Sequence, residues 1–354
     1  MSEETKQAAP KTADPSPAAR PSLSWRLWSK LPAPIRKWSR ETIVKRRVAA
    51  NYKYDMRRYV DASSTLTKEY SRESYRALIT MDYHRLEKGM ALPEPRLGFG
   101  VDVLKRLQRD LPKYISAHGH DDMTDVAFNA LREYVGFHAK QGMDFPELQA
   151  FVDSQGRRDG GCESGGTHAL ARREVEDATG FDASRFFMSR HSIREFVQAP
   201  VEAEKIERAV RHAMESPSVC NRQSWRVHWY RKRERIDQML SFQDGNRGFG
   251  HAVPELLVIT SDMSAFTKAG ERNQCWVDGG MFSMALVLAL HAERLGSCCL
   301  NWSVEASRDS AMRAAGQIPD NEAVMMMLAV GEIPGELRVA QSPRRPVEHV
   351  LRRD

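Results

Sequence analysis

Ser189-Arg190-His191-Ser192-Ile193-Arg194-Glu195-Phe196 and, after a helical segment, Pro217-Ser218-Val219-Cys220-Asn221-Arg222-Gln223-Ser224-Trp225 are the two runs that decide the fold. The first places two guanidiniums, an imidazole and two hydroxyls within six residues, a donor set suited to a phosphate. The second is dominated by hydroxyls and amides, neutral partners for a polar heterocycle or a sugar-like chain. Each run has a plainer reading taken alone: solvated surface cations for the first, a loop of turn formers for the second. Between them, Pro200 in a first turn with Glu202 and Glu204 predicts a helix to about Met214, stopped by Ser216-Pro217. Ile206, Ala209, Val210 and Ala213 form its apolar face.

Further along, strand-like runs are expected at Trp225–Tyr230, Glu255–Ser261 and Ala323–Gly331, with helices between them. This makes the second half an α/β or α+β domain. The uncharged run Gly279 to Leu290 reads as a buried core helix, short of the roughly 18–20 apolar residues of a membrane span. After it, Leu295-Gly296-Ser297-Cys298-Cys299 reads as a helix exit whose small residues allow a flat ligand close to the backbone. Asn246-Arg247-Gly248-Phe249-Gly250-His251 would line a pocket or simply turn the chain, and Arg344-Arg345-Pro346 adds two cations.

The first half divides into a tail and a helical zone. The tail, residues 1–60, is Pro/Ala/Ser-rich up to Pro21, where disorder is expected, and continues as a basic stretch with Trp25, Trp28 and Trp38. Its apolar rings and cations over residues 25–58 suit the headgroup region of an anionic bilayer; the alternative is an arm packed on the protein's own body. Pro32 and Pro34 are expected to break a clean amphipathic helix there. Residues 61–180 read as mainly helical, from Val101, Leu104 and Leu107 and then Phe128, Leu131, Val135 and His138. His84 and Glu87 could share a ligand at i,i+3; the simpler reading is a helix that ends at Gly89. His118, His120, Asp121 and Asp122 read as a polar turn rather than a metal site, and Asp159 to Gly166 as a Gly-rich linker or loop.

Charge sharpens this division. The 354 residues carry a net +6, but residues 1–60 hold 14 Lys/Arg against 5 Asp/Glu, a local +9, and the remaining 294 carry 39 against 42. The basic excess is an arm on a slightly acidic body, and no recognised nucleic-acid fold accompanies it, so nucleic acid is not expected as a partner. With 41% hydrophobic and 28% charged residues, a wholly disordered chain is excluded. Five cysteines without CxxC spacing read as reduced thiols of a cytoplasmic protein, and the first residues lack a signal-peptide apolar core. No P-loop, GxGxxG fingerprint or GxSxG elbow is present.

In order and spacing, Arg190 to Phe196 and Pro217 to Trp225 resemble the signature of the nitroreductase-like flavoprotein family, in which a basic-Ser-x-basic-x-Phe element precedes a Pro-Ser-x-x-Asn-x-Gln-Pro-Trp element. Pro254-Glu255-Leu256-Leu257-Val258, Asp278-Gly279-Gly280-Met281, Leu295-Gly296-Ser297-Cys298, Gly331-Glu332-Ile333-Pro334 and Arg344-Arg345-Pro346 fall where that family has matching features. The resemblance covers about 181–354 and leaves 1–180 as an addition. It implies an α+β fold with a central mixed or antiparallel sheet flanked by helices, and a homodimer with FMN at its interface. By position, Arg190, His191, Ser192 and Arg194 would hold the FMN phosphate, ribityl chain and pyrimidine edge, with Arg344 and Arg345 adding to the phosphate. Pro217, Ser218, Asn221 and Gln223 would reach the flavin from the partner subunit, and Leu295, Gly296 and Ser297 would approach its ring through backbone groups. The flavin carries the chemistry, so no catalytic side chain and no metal are expected.

The activity so implied is hydride transfer from NAD(P)H to a small quinone, nitro or enone-like acceptor in ping-pong order. Two departures bear on the acceptor: Ser224 stands where the family has proline, and the stretch from Trp225 to Pro254 is shorter than usual. The helical zone would then serve as a lid or as an enlarged dimer interface. A second reading, motivated by the arm and the helical zone, is a non-turnover flavin-fold scaffold recruited peripherally to the inner membrane surface.

Overall fold

The computed structural model describes residues 32–64, 66, 70–155 and 158–354. Trp25 and Trp28, and the tail expected to be disordered, lie outside them. Two compact units divide the chain, residues 1–53 and 54–354. Helix α1 (Ala33–Ala62) begins in the first unit. Pro34 lies in its first turn, so this proline opens the helix instead of breaking it, because a first-turn residue needs no intrahelical N–H.

In the second unit, α2 (Arg72–Met90), α3 (Val101–His118), α4 (Asp122–Ala139) and the short α5 (Pro146–Ser154) share one core. Leu86, Leu111, Ala127, Leu131, Tyr134 and Val152 are fully enclosed. The expected faces hold except at Val101, which is exposed in the first turn of α3 while Val103, Leu104 and Leu107 point inward. Helix α2 ends at Met90, one residue past Gly89 and with Lys88 in its last turn, so the expected end holds to within a residue, although Gly89 is not its cap. Gly89 lies inside α2, where a Cβ would stand 2.1 Å from the Phe99 ring, so the missing side chain admits that ring. Asp121 caps α4, accepting from Thr124 N and from Arg72, Arg76 and Tyr114.

Short helices α6 (Arg172–Ala178) and α7 (Ala183–Ser189) lead to three layers. The middle layer is a four-stranded antiparallel sheet of order β1-β2-β4-β3, built from β1 (Trp225–Tyr230), β2 (Glu255–Asp262), β3 (Leu295–Asn301) and β4 (Glu322–Glu332). Side chains alternate across a strand, and here both faces are covered. Leu256, Val258, Met327 and Ala329 pack with α9 (Arg233–Leu240) and Met312 of α11 (Ala306–Gly316). Leu257, Ile259, Leu328 and Val330 pack with α8 (Ala203–Ala213) and α10 (Gln274–Ala292). Double coverage explains why β2 is buried at every residue although its neighbours run antiparallel.

Two expectations change here. Leu295 to Cys299 is the start of a strand, not a loose helix exit. Arg294, at a left-handed φ of 62°, turns the chain directly from α10 into β3, and pairing with β4 then overrides the weak strand propensity of Gly and Ser. The apolar run at 279–290 belongs to α10, which is long and apolar enough by composition to cross a membrane but buries one face on the sheet. Its outward face exposes Trp276, Val277, Met281 and Met284. Asn246 to His251 turns the chain, with Phe249 buried in the core.

Candidate functional site

The residues expected to bind a flavin separate into two places on one chain. At the first, Ser192 bridges in parallel to Ser297 of β3, and Ile193 N donates to Ser297 O at 2.9 Å. Gly296 eases the close approach beneath this bridge, since a Cβ would lie 3.0 Å from the Ile193 side chain, tighter than ordinary contact. The Leu295 side chain is buried in the core, so only its backbone is available to a ligand. The bridge fixes the run 190–194 beside a cavity of about 440 Å³ lined by Phe187, Met188, Arg190, His191, Ser192, Arg194 and the segment Ala340 to Arg344. Arg345 is exposed and outside that lining.

Charge pairing sets this cavity apart. Arg58, Arg76, Arg106, Arg158, Arg208, Arg222, Arg226 and Arg313 all meet carboxylates. Among the described residues Arg190, Arg194 and Arg344 meet none; Arg194 Nη1 reaches only Ser192 O at 3.5 Å, and Arg344 donates to Ser342 O. Three unpaired guanidiniums around one hollow can take an anion bidentately. His291 lies close by, with Ser189 Oγ 2.8 Å from its Nε2; burial, then the neighbouring Arg190 and His191, hold its pKa below the usual value.

The second place is the loop between α8 and β1. Cys220, Asn221 and Gln223 all have left-handed φ, of 52°, 54° and 50°, a conformation that side chains rarely adopt and that the surroundings must enforce. Three anchors do so. Asp278 of α10, fully buried, accepts from Val219 N at 3.2 Å and from Gln274 Nε2 at 2.8 Å. Burial raises its pKa against those hydrogen bonds. Arg222, its side chain wholly enclosed, donates to Val219 O and Ala265 O and forms a two-armed pair with Glu271 at 2.6 Å. Ser218 Oγ accepts from Gln223 N at 3.1 Å. Trp225 then stacks on Phe282 of α10 at 5.0 Å, fixing the start of β1. Asn221 and Gln223 face open cavities, whereas Pro217 is exposed.

Sequence reasoning missed the Arg222–Glu271 clamp. Glu271 lies 49 positions from Arg222 and carries no motif. Asp278 was legible only as an acidic residue opening a helix. His84 Nδ1 and Glu87 Oε2 do meet, at 3.0 Å, and Glu87 Oε1 accepts from Gly166 N at 3.0 Å. This pair holds the Gly-rich loop on α2. Among the described residues no cluster of three or more His, Cys, Asp or Glu could hold a metal.

Residues 187–242 and 237–332 match the family model described as Nitroreductase family. Among solved structures, an NADH dehydrogenase/NAD(P)H nitroreductase from Parabacteroides distasonis is 22% identical, with a TM-score of 0.43 over 48% of this chain and 97% of its own. An FMN-dependent nitroreductase from Clostridium difficile is 22% identical, with a TM-score of 0.38 over 44% and 90%. A nitroreductase in complex with FMN from Desulfovibrio desulfuricans is 20% identical, with a TM-score of 0.41 over 48% and 95%. No curated protein matches the chain.

Proposed function

Because the C-terminal half carries a nitroreductase-family domain, we propose that this protein is an FMN-dependent oxidoreductase that works as a homodimer. The observation that carries the reading is the cavity beside the Ser192–Ser297 bridge with three arginines that meet no carboxylate among the described residues. Arg190, Arg194 and Arg344 would bind the phosphate, with Arg345 adjoining. His191 and Ser192 would serve the ribityl chain and pyrimidine edge, and the backbone of Leu295, Gly296 and Ser297 would face the ring. FMN held there would supply the redox chemistry, hydride transfer from NAD(P)H to a small quinone, nitro or enone-like acceptor in ping-pong order.

Among the described residues Asn221 and Gln223 line other cavities than the one at Arg190, which favours a site completed by Pro217, Ser218, Asn221 and Gln223 of a second copy. The exposed Trp276, Val277, Met281 and Met284 strip on α10 suits such a pairing, since an apolar patch of this kind gains by burial. Five free cysteines fit a reducing compartment such as the cytoplasm. The purified protein should be yellow with FMN near one per chain, and NADH or NADPH should bleach it anaerobically. A colourless protein that ignores added FMN would remove this reading; a bound flavin that neither donor reduces would favour the scaffold alternative.

The arm supports a membrane contact in addition. Within residues 33–53, Ile35, Trp38, Val44, Val48 and Tyr52 are exposed on one helix, with Val44, Val48 and Tyr52 at four-residue spacing. Lys37, Arg40, Lys45, Arg46 and Arg47 are exposed alongside. Each cation near an anionic surface contributes about 1 kcal/mol, so several suffice for reversible binding. The full chain should float with vesicles containing phosphatidylserine and not with neutral ones. The variant Trp38→Ser, Lys45→Glu, Arg46→Glu should stay in the soluble fraction, and equal flotation of both chains would rule the contact out.

A further inference from the structure

The helical half is not tethered beside the flavin domain; it walls the cavities that open at the strained loop. Asn221 and Gln223 line a cleft of about 750 Å³ together with Tyr83 of α2 and Val126 of α4. The same four residues line an adjoining pocket of about 570 Å³, which Glu87 and the segment Glu163 to His168 complete.

That segment is built, not slack. Asn129 Nδ2 donates to Cys162 O and Ser164 O, both at 2.9 Å, and Cys162 N donates to Asp125 Oδ2 at 2.9 Å. Gly166 N reaches Glu87 and Thr167 N reaches Glu133. Gly165 and Gly166 have φ of 121° and 90°, and a Cβ on either would strike Val126 O at 2.5 Å or Glu133 Oε2 at 1.7 Å. A mere linker needs neither these anchors nor such close approach; a pocket wall needs both.

The charges around the two cavities point one way. Among the described residues no Lys or Arg lines the smaller pocket, whose ionisable groups are Tyr83, Glu87, Glu163 and His168. In the larger cleft Arg72 and Arg76 pair with Asp121, Arg222 with Glu271 and Arg226 with Glu73. Glu163 is exposed and carries no ion pair among the described residues. Resting on the flavin reading above, we propose that the helical extension forms the acceptor-binding wall beside Asn221 and Gln223, and that it selects neutral or cationic acceptors over anionic ones.

Two quinone probes test this on the full-length holoprotein: neutral menadione and an anionic naphthoquinone sulfonate. Kd is read from perturbation of the oxidised flavin spectrum, so turnover is not needed. Wild type should bind menadione more tightly. Glu163→Lys should shift the preference towards the sulfonate by about two- to fivefold, the effect of gaining an exposed ion pair. FMN content should not change. Ser164→Trp, also at the exposed rim, should weaken both quinones. Tighter binding of the sulfonate by wild type overturns the proposal. So do unchanged affinities in both variants with FMN bound. A wild-type chain that takes up no FMN would instead overturn the flavin reading itself.

Discussion

Replacing Arg190 and Arg194 together by alanine should leave a folded but colourless protein. Hydrogen bonds to charged groups contribute about 1.5–3 kcal/mol each, so losing two guanidiniums weakens FMN binding by about a hundredfold or more. Stability should hardly move, because neither side chain pairs with a carboxylate among the described residues and Arg194 is exposed. Flavin released on denaturation, measured per chain after gel filtration, reads occupancy, and the thermal midpoint of apoprotein reads the fold. Unchanged occupancy in the double variant would remove the phosphate assignment. The single substitution Arg194→Lys should retain part of the flavin, since an ammonium replaces the charge but not the planar fork.

The second large effect is expected at Glu271. Its removal as Glu271→Ala strands the Arg222 guanidinium, whose side chain is wholly enclosed, and breaking such a pair costs about 3–5 kcal/mol. Replacing both partners, as Arg222→Met with Glu271→Leu, should recover much of that stability, because no uncompensated charge is then buried. Flavin retention should not recover with it, since Val219 and Ala265 lose the donor that pins the strained loop. The pH dependence has a definite sign. Burial pushes the Glu271 pKa up, but the Arg222 hydrogen bonds and the Thr267 N–H outweigh it and hold it below the usual 4.5. A depressed carboxyl stabilises the fold above its unfolded value and loses that contribution as pH falls through the folded one. The advantage of wild type over Glu271→Gln in thermal unfolding should therefore be full above pH 4.5 and shrink below it. A difference that stays flat into acid would count against the ion pair.

Much of the second half was legible because its signals are local. Strand-like runs set β1, β2 and β4 close to their observed ends. Proline and acidic residues marked the start of α8 within three positions. Strand β3 was not legible: Gly-Ser-Cys-Cys has little strand preference, and only the open edge of β4 makes it pair. Gly89 marked the helix end to within one residue, but not for the reason a sequence supplies. Sequence offers a glycine near a helix end as a cap, whereas Phe99, ten positions on, explains why no side chain fits.

By itself, then, the sequence determined the class of the second half, its runs of donor groups and the separation of a basic arm from an acidic body. These follow from composition, spacing and backbone preference, which act over a few residues. The tertiary structure alone decided which arginines stay unpaired, because pairing depends on carboxylates brought from distant segments. It also decided which residues of the helical part reach the second half: Tyr83, Val126 and Glu163 to His168 line cavities with Asn221 and Gln223, Glu73 holds Arg226 at 2.7 Å across 153 positions, and Ser74 Oγ donates to Ser264 O at 3.2 Å across 190. Such contacts leave no periodic trace in a chain, since their geometry is set only when the layers close.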